Sequence, residues 1–174
     1  MKKFIYILSV IACTSLAAIE QPQEDLPRSP VLSTSAIIEV YKGTFFEGIV
    51  LVRHQEDPYS YFLPGSLVPY GDQVEDTLRS EARGELNLEL KELSIFRIYS
   101  DPNRDPRCHV VDITYLTKVG AQPVAGVDVL DAKVFGIDHI PWTSLGLDHA
   151  QIIRDYLKGR SVLDPFKHAF KPPF

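Results

Sequence analysis

The order of strand-like and helical segments most constrains what this chain folds into. Two β-branched runs of strand length, Ala36–Tyr41 and Gly48–Arg53, precede an amphipathic helical pattern at Gln73–Leu86. The remaining predicted elements are strands at Leu93–Tyr99 and His109–Val119, a short strand from Lys133 to Phe135, and a last helix over Asp148–Lys158. Strands on both sides of one helix, with a second helix at the end, predict a single α/β (α+β) domain with a mixed sheet.

Capping residues predict where the two helices begin and end. Asp72, after Gly71, is expected to be the N-cap of the first helix, because its side chain can accept a backbone N–H bond. Asp148 is expected to cap the last helix and Gly159 to end it.

The first 18 residues have the composition of a secretory leader. A basic start is followed by the apolar run Phe4–Ile11 and then by small residues up to Ala18. The run is too short for a transmembrane helix, which needs about 20 apolar residues. We therefore expect an exported protein.

Two processing routes stay open for this leader. Val10–Cys13 resembles the lipobox of bacterial lipoproteins, whereas Ser15-Leu16-Ala17 fits ordinary signal peptidase. The protein is accordingly expected to be periplasmic or anchored to the membrane by a lipid, with no other membrane contact. Residues 19–34 are polar and contain prolines, which predicts a tether. The domain is expected over residues 35–160, followed by a C-terminal tail at 161–174.

Charge and cysteine content exclude some classes of protein. The formal net charge is −5, and losing Lys2 and Lys3 with the leader would make it −7. Such a surface argues against a nucleic-acid polymer as partner. Two cysteines, one of them inside the leader, exclude a disulfide framework. The oligomeric state is left open.

Two glutamates occupy unusual positions on the first helix. Val74, Leu78 and Ala82 form its apolar stripe, and Glu81 and Glu85 fall at or inside the edge of that stripe. Carboxylates four residues apart repel each other, and apolar neighbours partly remove their water. A shared divalent cation relieves both penalties, and Mg²⁺ is held by one or two carboxylates together with waters and phosphate oxygens. The alternative is a solvated pair at the helix edge.

The spacing around this helix resembles the Nudix box. Leu63–Ser66, five residues, Asp72, seven residues and Ser80–Leu88 follow its register without insertion. That box reads Gly, five residues, Glu, seven residues, then Arg-Glu-apolar-x-Glu-Glu-x-Gly-apolar. Glu81 and Glu85 fall on two of its glutamates.

The resemblance extends over residues 33–158 and is closest to ADP-ribose pyrophosphatase-like members. Three further segments match in order: Asp101–Val111, residues 131–141 and Leu147–Ile153. The resemblance implies a Nudix-like mixed sheet sandwiched by helices. It also implies Mg²⁺- or Mn²⁺-dependent hydrolysis of a nucleoside diphosphate linked to another moiety, with ADP-ribose as the type of substrate.

The resemblance also implies roles for particular side chains. Glu81 and Glu85 would be the catalytic residues that hold the metal. Arg53, Arg104 and Arg107 are candidates for contacting the substrate pyrophosphate, because guanidinium binds phosphate in a bidentate manner. The loop that carries Arg104 and Arg107 is equally consistent with internal ion pairs.

Several positions depart from the box. Ser66, Asp72, Ser80, Gly84 and Asn87 replace Gly, Glu, Arg, Glu and Gly. Gly84 matters most, because it deletes a carboxylate and lowers helix propensity by about 1 kcal/mol relative to Ala. The alternatives are therefore a hydrolase of reduced activity, a catalytically inactive exported nucleotide-binding module, and an interaction protein.

A few other polar residues have no clear metal or catalytic pattern. The five histidines lack metal-ligand spacing, which favours structural roles for them. Cys108 is expected to be a plain thiol at a strand edge. Asp128 and Asp131 are candidates for an additional acidic ligand.

Overall fold

The computed structural model describes residues 29–163 of the 174-residue chain, the last three by their backbone alone. It contains six strands, two α-helices and two short 3-10 turns. The elements are β1 (Val31–Lys42), β2 (Phe45–His54), β3 (Gly65–Leu67), α1 (Val74–Leu86), β4 (Ser94–Tyr99), β5 (Val110–Val119), β6 (Val129–Phe135), the turns Ile137–His139 and Trp142–Ser144, and α2 (His149–Leu163).

The strands form one mixed sheet in the order β4-β5-β1-β2-β6, with β3 paired to the start of β1. β1 and β5 are parallel over ten residue pairs, and every other pairing is antiparallel. A parallel pair requires a crossover connection, and the chain between β1 and β5 includes α1. The polar residues of β1 therefore lie directly beside those of β5.

Each face of the sheet is covered by one helix. Alternation along the strands sends Ile38 towards α1 and Ile37 towards α2, because successive side chains point to opposite faces. The α1 side of the core contains Ala36, Ile38, Val40, Val50, Val52, Leu78, Ala82 and Leu86. The α2 side contains Ile37, Ile49, Leu51, Leu63, Ile152, Ile153 and Tyr156. The expected mixed sheet between helices is confirmed.

The sheet begins earlier than the sequence predicted. β1 starts at Val31 rather than Ala36, so residues 31–34 belong to the sheet and not to a tether. These polar residues are extended because β5 pairs with them on one side and β3 on the other. Gly65–Leu67, for which the sequence predicted no strand, is the strand that provides the second pairing.

Two of the predicted helix ends, those at Asp72 and Gly159, need correction. Asp72 is not the N-cap of α1: Gln73 occupies that position without a side-chain cap bond, while the Asp72 N–H closes a turn onto Pro69 O. Gly159 does not end α2, which continues to Leu163. The helix continues because Tyr156 and Arg160 both bond to the buried carboxylate of Glu39 in β1.

The leader and most of the tether, at residues 1–28, lie outside the described residues, as does the tail from residue 164. Within residues 29–163, no helix is long and apolar enough to cross a membrane.

Candidate functional site

A cavity of about 560 Å³ lies where β2, β3, the loop before β5 and the start of α2 meet. Five carboxylates line it, from Glu56, Asp57, Glu85, Asp105 and Asp112. Only two guanidinium groups, those of Arg104 and Arg107, face them among the lining residues. A phosphate-bearing ligand in such a cavity needs added positive charge, and a divalent cation provides it in compact form.

Glu85 is a mostly buried lining carboxylate whose charge is only partly compensated. It lies in the last turn of α1, and its side chain is 15% exposed. Its Oε1 is 3.5 Å from His54 Nδ1 at the end of β2. Its Oε2 is buried and has no hydrogen-bond partner among residues 29–163. A buried carboxylate oxygen without a donor costs free energy, and a bound cation would remove that cost.

The electrostatic environment of Glu85 supports the same conclusion. Burial raises the pKa of its carboxyl from 4.5 to about 7, and the negative charges of Glu81 and Asp128 add to the rise. Glu81, predicted from the sequence, and Asp128, named only as a candidate, are therefore the acidic neighbours of Glu85. Within residues 29–163 no group of three or more His, Cys, Asp or Glu side chains is arranged to hold a metal ion. Mg²⁺ requires fewer, since one or two carboxylates suffice with waters and phosphate oxygens.

Backbone contacts fix the turn that presents Glu85. Asn87 ends α1 in the left-handed conformation (φ 53°), which Asn tolerates where the box has Gly. The segment before β6 then closes over the helix end: Val124 N–H donates to Leu86 O at 2.9 Å, and Gly126 N–H to Glu85 O at 2.8 Å. Gly126 approaches so closely that an added Cβ would lie 1.9 Å from Gly84 O. The helix end and the loop are thus one rigid unit.

The two arginines of the 101–107 loop behave differently. Arg104 is 3% exposed and makes a bidentate pair with Asp148, at 2.9 and 2.7 Å, which ties the loop to the start of α2. Arg107 pairs with Asp105 inside the loop, yet its side chain is 70% exposed at the cavity. Arg107 can turn towards a phosphate, whereas Arg104 is held in place.

Arg53 is placed apart from this cavity. Its guanidinium pairs with Asp131 at 3.1 Å and lies 5.2 Å from the centre of the Tyr61 ring. Asp131 also accepts bonds from Tyr61 and Lys133, so this carboxylate is already compensated. A substrate contact by Arg53 stays a prediction that its position does not support.

Sequence reasoning missed a polar cluster at the cavity floor. Ser33 and Ser35 of β1 and Thr114 of β5 all donate to the carboxylate of Asp112, at 2.7 to 2.8 Å. All four side chains are at most 8% exposed. The signal was present as Ser-x-Ser in one strand and Asp-x-Thr in another. Only the parallel register, which sets Ser33 beside Asp112 and Ser35 beside Thr114, shows that they meet.

His149 is the second missed residue. Its Nδ1 accepts a hydrogen bond from Leu63 N–H at 2.7 Å, which links the first residue of α2 to the box loop. Burial lowers the pKa of its imidazole from 6.5 to about 4, so the ring is neutral at physiological pH. Phe62 lies between the two histidines of the cavity, with ring centroids 5.8 Å from His54 and 5.6 Å from His149.

Comparison with known proteins agrees with the fold. The NUDIX domain model matches residues 31–156, and the chain therefore belongs to the Nudix family. It is 34% identical over 116 residues to the ADP-ribose pyrophosphatase of Methanocaldococcus jannaschii, covering 65% of this chain and 68% of that protein.

Solved structures show the same fold. The NUDIX domain of Shewanella oneidensis NrtR, complexed with ADP ribose, has a TM-score of 0.66 at 18% identity, over 75% of this chain and 88% of that one. A MutT/nudix family protein from Enterococcus faecalis has a TM-score of 0.62 at 24% identity, over 75% of this chain and 62% of that one. The third structure is a bifunctional NMN adenylyltransferase/ADP ribose pyrophosphatase from Francisella tularensis, complexed with AMP and a Mn ion. Its TM-score is 0.64 at 19% identity, over 77% of this chain and 43% of that one.

Proposed function

We propose that this protein is a Mg²⁺- or Mn²⁺-dependent hydrolase that cleaves the diphosphate of a nucleoside diphosphate linked to another moiety, such as ADP-ribose. The observation that carries the proposal is Glu85, a mostly buried carboxylate beside Glu81 and Asp128, one oxygen of which has no donor among the described residues. The relative from Methanocaldococcus jannaschii, named as an ADP-ribose pyrophosphatase, supports the choice of substrate class.

Glu81 and Glu85 would hold the cation, with Asp128 as the nearby third charge. When bound, a divalent cation polarises a phosphoryl oxygen and offsets the charge of the diphosphate. Glu85 is aligned for this role by His54, and its helix turn is fixed by the hydrogen bond from Gly126. The residues therefore fit a metal, although the box lacks the carboxylate expected at residue 84.

The loop before β5 would bind the diphosphate. Arg107 is exposed at the cavity and is paired only within its own loop, so it can share its donors with phosphate oxygens. Arg104 is a positioning residue instead, because Asp148 occupies its guanidinium from the start of α2. Asp105 is 4% exposed and holds Arg107 at the edge of the cavity.

A second candidate is a nucleotide-binding module without turnover. Two departures from the box favour it: Gly84 lacks a carboxylate, and Ser80 lacks the cation expected there. Such a protein would retain the cavity and bind the same class of ligand. In both cases the partner is a small nucleotide and not a nucleic-acid polymer, and residues 1–18 would direct export, with or without a lipid anchor.

Calorimetry with Mg²⁺ and Mn²⁺ tests the metal site on which the proposal rests. Wild-type protein should bind either ion, and Glu81→Gln and Glu85→Gln should abolish binding. Glu89→Gln is the matched control, because Glu89 is exposed, follows the same helix and pairs only with Arg83. Unchanged ion affinity in both cavity variants would contradict the proposal. ADP-ribose that raises the Tm without being cleaved would select the binding module.

A further inference from the structure

The floor of the cavity contains a set of polar groups that take no part in the proposed metal site or in the proposed binding of the diphosphate. Asp112 is 3% exposed, and its carboxylate accepts bonds from three hydroxyl groups. No lysine or arginine bonds to it among residues 29–160. A buried carboxylate compensated only by hydroxyls is costly unless further donors reach it.

The number of available protons determines what this floor offers a ligand. Ser33, Ser35 and Thr114 each have one hydroxyl proton, and all three are directed at Asp112. Ser35 and Thr114 also approach each other at 3.1 Å. The protons of these hydroxyls are therefore used within the cluster. What the cluster has left is acceptors on residues that line the cavity: lone pairs on the serine oxygens and one lone-pair site on the Asp112 carboxylate.

His149 adds one donor next to these acceptors. Its Nδ1 accepts the Leu63 N–H, so the proton of the neutral ring is on Nε2. His149 and Asp112 both line the cavity, so this donor is available in the same cavity as the acceptors of the floor.

We propose that this end of the cavity binds the hydroxyl groups of a sugar, a ribose ring of the nucleotide ligand, by accepting from them at Asp112 and Ser33 and donating to them from His149. A hydroxyl group both donates and accepts, which matches a floor made of acceptors and one donor. A phosphate only accepts and would face the carboxylate without a donor. The inference rests on the proposed nucleotide ligand and adds its orientation: diphosphate towards Arg107 and Glu85, sugar towards Asp112.

A nucleobase fits this end less well. Phe62 is the only aromatic residue other than histidine in the cavity lining, and its ring packs at a tilt against His54 and edge-on against His149. The two histidines therefore occupy part of the ring surface on which a base would stack.

NMR titration in Mg²⁺ tests this site with ribose 5-phosphate, ADP-ribose and ADP, with the ADP-ribose used as its methylene-bridged analogue so that the diphosphate is not cleaved. Asp112→Asn should weaken ribose 5-phosphate and ADP-ribose by at least about tenfold, the effect of one charge-assisted hydrogen bond. If ADP affinity is unchanged, the terminal ribose is the one bound. If ADP weakens equally, the adenosine ribose is bound, and 2′-deoxy-ADP should then be insensitive to Asp112→Asn.

Two further variants guard against a folding defect. Ser33→Ala removes one acceptor while keeping the buried carboxylate, and it should weaken the same ligands several-fold. Asp155→Asn is the control: Asp155 also accepts bonds from neighbouring side chains but lies outside the cavity. It should leave every affinity unchanged.

Ribose 5-phosphate and ADP-ribose affinities within twofold of wild type in both Asp112→Asn and Ser33→Ala would overturn the sugar site. Loss of adenine binding in Asp112→Asn would do so as well. If sugar binding depends on Asp112 but the protein has no turnover, this inference is upheld and the hydrolase proposal is contradicted. If the protein turns ADP-ribose over but the ligand affinities of the variants are unchanged, the hydrolase proposal is upheld and this inference is contradicted.

Discussion

Glu85 Oε1 lies 3.5 Å from His54 Nδ1, and the other oxygen of the same carboxylate is buried with no hydrogen-bond partner in the part of the chain that the structure describes. This contact links the end of α1 to the end of β2 across the cavity. It leaves one acceptor without a donor beside a cavity whose lining includes four other carboxylates. The metal-free protein therefore carries an electrostatic penalty that its ligand would remove.

Glu85→Gln is expected to stabilise the metal-free protein. The pKa of Glu85 is raised from 4.5 unfolded to about 7 folded, so the folded state binds the extra proton between these values. Stability contributed by protonated Glu85 is fully present below about pH 4.5 and is lost as pH rises through about 7. In EDTA at about pH 8, the neutral variant should unfold with a free energy higher by on the order of 1–3 kcal/mol.

Urea denaturation of both proteins over this pH range measures the difference. The gain should shrink to about zero below pH 4.5. A variant that is less stable than wild type at about pH 8 would contradict the prediction, because the charge of Glu85 would then be stabilised in the folded protein.

His149→Asn is expected to remove an acid-sensitive contribution to stability. Asn can still accept the Leu63 N–H bond but does not titrate. Because the pKa of His149 is depressed from 6.5 to about 4, its contribution is present above about pH 6.5 and is lost as pH falls through about 4. The stability of wild type relative to the variant should fall over that window. His109→Asn, at an exposed histidine, is the control. Parallel pH profiles for wild type and His149→Asn would contradict the prediction.

Gly84→Glu distinguishes a weakened hydrolase from a binding module. A Cβ built at Gly84 meets no atom within 4 Å, and Gly84 is an exposed position, so the helix can accept the side chain. Helix propensity also rises. If the protein is a weakened hydrolase, turnover of ADP-ribose should rise by at least about tenfold, or roughly 1.4 kcal/mol in the barrier. In a binding module the added charge should weaken an anionic ligand without creating turnover.

The leader prediction concerns residues 1–18, which lie outside the described residues. Intact mass of protein from its native host is expected to show a start at or near Ala18, or an acylated Cys13 as the first residue. Recovery of full-length protein beginning at Met1 from the cytoplasm would contradict export.

The sequence was sufficient for elements that carry a local pattern. The apolar stripe and the glutamates of α1 follow from helical periodicity, and β5 follows from its β-branched run. The start of β1 was missed because Ser33 and Thr34 have little strand character by themselves. Their conformation depends on pairing with Asp112 and Ile113, which are 79 residues away in sequence.

The same limit explains the arginines. Arg104, Arg107 and Arg53 were equivalent candidates in sequence, because partners determine which guanidinium is free. Asp148 pairs with Arg104, which is 44 residues away in sequence, and Asp131 pairs with Arg53, which is 78 residues away. Arg107 pairs with a residue only two positions away, which was one of the two alternatives that the sequence left open. Long-range pairing of charges is set by packing, which periodicity and spacing do not encode.

The most direct measurement of the central claim is the initial rate of AMP formation from ADP-ribose, with and without Mg²⁺, for wild type, Glu85→Gln and Glu89→Gln. We predict Mg²⁺-dependent cleavage by wild type and by Glu89→Gln, and a loss of at least about 100-fold, roughly 2.7 kcal/mol in the barrier, in Glu85→Gln. Folded wild-type protein that forms no AMP with Mg²⁺ or Mn²⁺, or a Glu85→Gln variant as fast as wild type, would contradict the account.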